Sequence, residues 1–146
     1  QAWLGLTFNW GSLVGWAAVA GSLEAPVYYL YAAGFFWTLG YDTIYAHQDK
    51  EDDALVGVRS TALLFGPWTR YWLAGFYVVA LALFTGAGLR AELNTLYYAG
   101  LGFAALHFAW QVWRLEIDDA RDCLVMFKSN KWLGLLITIL IVLGQT

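Results

Sequence analysis

The chain has 146 residues, of which 60% are hydrophobic, 18% aromatic and only 13% charged, with a mean hydropathy of +0.54. So little polar surface excludes an ordinary soluble domain of this length, and lipid is the expected solvent. The net charge of −3 decides little, but the single cysteine, Cys123, excludes an intrachain disulfide framework, and no Cys/His cluster offers a zinc site.

The first residues, Gln1–Ala2–Trp3–Leu4, already begin an apolar run with neither an initiator Met nor a signal peptide, as expected of a piece of a longer protein. Apolar stretches near the length that crosses the hydrocarbon layer as helix recur along the chain. They predict spans at about 3–20, 26–46, 68–88, 94–113 and 131–145. Helices are the sensible form, because a backbone in lipid must satisfy its own hydrogen bonds. The fold class expected is all-α, a polytopic transmembrane bundle forming one domain over 1–146. Gly11 and Gly15 make a GxxxG in the first span, a spacing that lets helices pack closely.

The connections alternate in character. Those near 21–25 and 89–93 carry Arg90 as their only basic residue. Those near 47–67 and 114–130, with their helix borders, hold Lys50, Arg59, Arg70, Arg114, Arg121, Lys128 and Lys131, seven of the eight. Basic residues favour the cytoplasmic or equivalent side, so the start of the chain is expected inside and its end outside. Nine of the eleven acidic residues share that inner side; Glu24 and Glu92 lie near the outer face.

The most informative segment is YDTIYAHQDKEDD at 41–53. Asp42, Asp49 and Asp53 are spaced by seven and four, offsets that return to within roughly 20° of one direction on a continuous helix. Asp52 falls about 80° away. Unpaired carboxylates at the mouth of a membrane helix repel one another, and Asp42 lies inside the apolar pattern, where solvation explains it poorly. A divalent cation offsets both problems. Oxygen-only donors point to Mg²⁺, which keeps waters and bridges one or two carboxylates to substrate phosphates. A diphosphate is therefore the expected substrate group. Lys50 inside the motif, with Arg59, Ser60 and Thr61 after it, supplies cations and hydroxyls for phosphate oxygens. The bland reading of Asp49 to Asp53 is a helix cap with solvated loop charges.

At these residues the sequence resembles the UbiA superfamily of intramembrane prenyltransferases, whose second aspartate-rich motif reads DxxxAxxDxxxD. Here it is Asp42, Ala46, Asp49 and Asp53. GVRSTALLFG at 57–66, LGLTFNWG at 4–11 and FKSNKWLG at 127–134 look like the 4-hydroxybenzoate polyprenyltransferase branch, with Arg59 in place of the usual Lys. The resemblance implies nine spans, of which these are the last five, and a first motif, NDxxDxxxD, that this chain lacks. It implies transfer of a polyprenyl group from polyprenyl diphosphate to the ring of 4-hydroxybenzoate for ubiquinone synthesis, in a bacterial or mitochondrial inner membrane. Mg²⁺ would be held by Asp49, Asp53 and Asp42, with the diphosphate on Lys50, Arg59, Ser60 and Thr61. Tyr41 and Tyr45 would line the acceptor pocket, against interfacial anchoring as the plainer role. No nucleic acid is expected as partner. With one motif absent, the chain alone is expected to be inactive.

His107 and Gln111, one turn apart, read first as a packing contact. Asn9 and Asn130 have no evident task, and Asp118, Asp119 and Asp122 read as a solvated loop face. Another aromatic acceptor within the superfamily, or a non-enzymatic transporter, remain the alternatives. A transporter predicts carboxylates near the membrane midplane.

Overall fold

The computed structural model describes residues 1–145, all of whose regular elements are helical. The first apolar run does not form one helix. It divides at Asn9 into α1 (Ala2–Phe8) and α2 (Trp10–Ala20). The Asn9 amide Nδ2 donates to the Gly5 carbonyl at 2.8 Å and to Thr38 Oγ1 at 3.0 Å. An Asn side chain that competes for backbone partners in this way is a poor interior helix residue. α2 ends at Gly21, whose φ of 73° is the left-handed closing geometry that glycine adopts without cost.

α3 (Ala25–Ala46) starts on Pro26 in its first turn, where the missing N–H costs nothing. Its 22 residues reach about 33 Å, enough to cross a bilayer. This helix is the hub of the fold: it packs most extensively against α6 (Thr69–Arg90) and also meets α1, α2 and α8 (Ala120–Gly144). Glycines permit the closest approaches. A Cβ on Gly34 would lie 2.3 Å from Asn9 Oδ1, and one on Gly40 would lie 2.5 Å from the Tyr77 ring.

Between α3 and α6 run two short helices, α4 (Lys50–Val56) and α5 (Thr61–Phe65), and a 3₁₀ turn over Gly66–Trp68. α7 (Thr95–Arg114) returns antiparallel after a tight turn in which Glu92 takes a φ of 53°. Asn94 caps α7 through the Leu96 N–H at 2.9 Å, and its own N–H donates to the Gly144 carbonyl, tying α7 to the far end of α8. Asp119 caps α8 by accepting from the N–H groups of Arg121 and Asp122. The core lies where α3, α6, α7 and α8 meet, around Tyr77, Phe84, Tyr97, Phe108, Met126 and Ile137.

The expected spans map onto these helices with two corrections. The 3–20 run is broken at Asn9, and the last helix begins at Ala120 rather than near 131. Among the described residues two helical stretches are long and apolar enough to cross a membrane, Thr61–Arg90 and Ala120–Gly144. α3 and α7 reach the length, but their Tyr, Trp, His and Gln side chains lower their hydropathy.

Candidate diphosphate and acceptor site

The acidic motif sits where α3 stops. α3 ends at Ala46, His47 to Asp49 form a turn, and α4 starts at Lys50 with Asp49 as its cap residue at φ −104°, ψ 9°. The single carboxylate stripe expected for a continuous helix is therefore not formed: Asp42 belongs to α3, whereas Asp49 and Asp53 belong to α4, joined by the Asp53 N–H to Asp49 carbonyl bond at 2.8 Å. The physical reason is the broken helical phase. Among the described residues no group of three His, Cys, Asp or Glu is gathered closely enough to hold a metal. The donor set still fits Mg²⁺ chemically, because that ion takes one or two carboxylates and completes its shell with water and phosphate. No side-chain hydrogen bond or ion pair within the chain engages Asp42, Asp49 or Asp53 among the described residues.

The turn itself is well anchored. His47 is buried, and its Nε2 lies 2.9 Å from Thr69 Oγ1, which donates to the Gly66 carbonyl at 2.8 Å. Thr69 Oγ1 thus bridges the His47 ring to the Gly66 carbonyl. Burial is the main cause that pushes the His47 imidazole below its usual range; Lys50 adds to it and Asp118 opposes it.

The cationic and hydroxyl residues part company. Lys50 reaches across to Asp118 at 3.2 Å, so Asp118 is a pairing residue rather than only a solvated face. Arg59 is exposed. Ser60 is buried, with its hydroxyl lacking a hydrogen-bond partner. Thr61 is occupied within the chain: its hydroxyl lies 2.9 Å from Thr43 Oγ1 and its N–H donates to Gln1 Oε1 at 2.9 Å.

Inward of the acids, α1, α2, α3 and α8 surround an open cavity of about 640 Å³. Tyr41 lines it and stands 5.7 Å from the Phe127 ring; Tyr45 also packs on Phe127, at 4.8 Å, without lining the cavity. The Tyr41 hydroxyl and the Asn9 amide both hydrogen-bond Thr38 Oγ1, at 3.1 and 3.0 Å. Deeper, Trp37 Nε1 donates to Asn130 Oδ1 at 2.9 Å. Asn9 and Asn130, without a task in the sequence, thus fix the walls of this cavity. The signal for them was a polar amide inside an otherwise apolar run. His107 and Gln111 stay outside it. Gln111 is fully buried, accepts from the Tyr77 hydroxyl and donates to the Met126 carbonyl and Ser129 Oγ at 3.0 Å each, while His107 meets Ser129 at 3.2 Å. That pair is packing.

Comparison with known proteins identifies the family. Residues 1–140 match the UbiA prenyltransferase family. The chain is 48% identical to the mitochondrial 4-hydroxybenzoate polyprenyltransferase of Arabidopsis thaliana, over 100% of this chain and 36% of that protein. The proteins of the same name from Bos taurus and Homo sapiens are 50% and 49% identical, over 99% of this chain and 39% of each relative. The chain thus spans less than two-fifths of the length of these relatives. No solved structure matches it significantly.

Proposed function

Because the chain belongs to the UbiA prenyltransferase family, we propose that it forms the diphosphate-side half of a membrane enzyme that prenylates 4-hydroxybenzoate for ubiquinone synthesis. The observation that carries this reading is that Asp42 follows Tyr41, a wall residue of the aromatic-lined cavity, with Asp49 and Asp53 just across the turn, and that none of the three carboxylates makes a side-chain hydrogen bond or ion pair among the described residues. The names of the relatives supply the acceptor. On this reading α1 and α2 cross as one broken helix, the chain makes five spans, and the seven-to-one split of basic residues supports a matrix-side position for the acids in a mitochondrial inner membrane.

Asp49 and Asp53 hold Mg²⁺ on this reading, with Asp42 close to it or orienting the acceptor phenol. When bound, Mg²⁺ withdraws charge from the leaving diphosphate. Arg59 and Lys50 meet phosphate oxygens, Lys50 by leaving Asp118, an exposed partner held only weakly. The allylic C–O bond breaks and its electron pair leaves with the diphosphate. The ring carbon beside the acceptor hydroxyl forms the new C–C bond, and the proton on that carbon is lost. On this reading the Tyr41 ring, which lines the cavity, stabilises an allylic cation, with Tyr45 against Phe127 beside it. Since the NDxxDxxxD string is absent from this chain, the chain alone holds half of the ligand set and is inactive.

The test is a radiolabelled prenyl-transfer assay in membranes containing the full-length protein, 4-hydroxybenzoate, a polyprenyl diphosphate and Mg²⁺. Asp49→Asn and Asp53→Asn should each lower product formation on the order of a hundredfold or more, the loss typical of removing a group that stabilises developing charge. Normal turnover in either variant, with the protein inserted, removes these carboxylates from the reaction.

A further inference from the structure

Two exposed ammonium groups on the inner part of α8 stand without an ion-pair partner among the described residues. Lys128 and Lys131 lie three residues apart on α8, about 4.5 Å along its axis and on one face. α8 is one of the two helices fit to span a membrane, and both lysines are exposed on its inner part, toward the face that carries most of the basic residues. Both line the 640 Å³ cavity. Neither makes an ion pair among the described residues; Lys131 Nζ stands 5.0 Å from the centroid of the Trp132 ring, and none of the acidic residues lines the cavity.

The antiparallel packing of α3 and α8 sets their depth. Tyr41 is level with Phe127 through ring contact, and Trp37 is level with Asn130 through the indole hydrogen bond. Lys128 and Lys131, the neighbours of Phe127 and Asn130, therefore extend from the Tyr41 level outward to the Trp37 level. Asp42 lies on the opposite, inner side of Tyr41. A flat aromatic ring held between Tyr41, Trp37 and Phe127 with its hydroxyl toward Asp42 directs a para substituent at the lysines. A neutral substituent would gain nothing there, whereas a carboxylate gains two charge-assisted hydrogen bonds. A diphosphate belongs a turn or more away, beside Asp49 and Asp53.

We propose that Lys128 and Lys131 form an anion site that selects the carboxylate of the aromatic acceptor, an inference that rests on the prenyl-transfer reading above. The Asn9–Thr38–Tyr41 hydrogen bonds hold the facing wall in place.

The experiment uses the full-length protein in membranes with saturating polyprenyl diphosphate, and compares 4-hydroxybenzoate with its methyl ester. Wild-type protein should favour the acid, with an acceptor KM about tenfold or more below that of the ester. Lys128→Gln and Lys131→Gln should each raise the KM for the acid by about that factor and leave the KM values for the ester and for polyprenyl diphosphate unchanged. Lys131→Arg should retain the preference for the acid. Equal KM values for acid and ester in the wild-type protein overturn the inference without recourse to any variant. A rise in the polyprenyl diphosphate KM alone assigns the lysines to the other substrate and also overturns it. An active wild-type protein whose variants keep their acceptor KM refutes the anion site while the function stands. A wild-type protein that prenylates neither acceptor refutes the function itself, and the anion site with it.

Discussion

Tyr77 offers the sharpest test of how the bundle is held. It is buried to 2% exposure, stacks on Phe108 at 4.1 Å and donates its hydroxyl to Gln111 Oε1, so one side chain joins α6 to α7 beneath α3. Tyr77→Phe keeps the stack but orphans a buried carbonyl; Gln111→Leu keeps the volume but orphans the phenol. An unsatisfied buried group costs about 1–3 kcal/mol, and hydrogen bonds within membrane bundles fall near the lower end, up to roughly 1.7 kcal/mol. Each single variant should therefore lose about 1–2 kcal/mol. The double variant should lose little more than the worse single one. Losing Gln111 Nε2 creates no new orphan at the Met126 carbonyl, which still accepts from Ser129 Oγ at 2.6 Å and Asn130 Nδ2 at 3.1 Å. The expected coupling is about 1 kcal/mol. Unfolding free energies of the full-length protein in mixed micelles measure it. Costs that add to within about 0.3 kcal/mol would refute the claim that the two groups satisfy one another.

Two further outcomes follow from single contacts. Gly40→Ala places a Cβ 2.5 Å from the ring carbon of Tyr77, so it should destabilise the same micellar protein by about 1–3 kcal/mol, and adding Tyr77→Phe should give no relief because the ring rather than the hydroxyl is struck. Recovery in that double variant would refute the contact. The Lys50–Asp118 bridge joins side chains 35% and 84% exposed, so Asp118→Asn should change stability by less than about 1 kcal/mol and leave prenyl transfer intact. Lys50→Ala should instead raise the KM for polyprenyl diphosphate. Equal kinetic effects from the two changes would mean that Lys50 serves the bridge alone.

Much of the fold could be read from the sequence because the relevant signals were local. The apolar runs and the charged borders placed α3, α6 and α7 within about two residues of their observed ends. Two of the three failures shared a cause, a long-range contact overriding a local pattern. Asn9 breaks the first span because Thr38, far along the chain, offers it a partner. The start of α8 was hidden because Arg121, Asp122 and Lys128 look like loop charges, whereas Asp119 caps a helix that carries them. The acid stripe failed by a similar argument: spacing fixes direction only on an unbroken helix, and the turn at His47, tied to Thr69, resets the phase before Asp49. The residue types of the site were legible, but their mutual geometry was not.

The split between α3 and α4 assigns the two halves of the site different physical tasks. Tyr41 and Asp42 stand on a helix that buries nine residues and is locked by the Trp37–Asn130 bond, so the cavity wall is fixed before any ligand arrives. α4 buries no residue, which places Asp53 at the low-stability end of the fold, where local opening is easy. Among the described residues no side-chain hydrogen bond or ion pair holds the carboxylates of Asp49 and Asp53 against each other's charge. On the proposed function, convergence of those two acids is therefore a consequence of binding a cation and a diphosphate, not a precondition for it. Affinity for the diphosphate should then depend on the cation, whereas the aromatic acceptor meets a wall already formed.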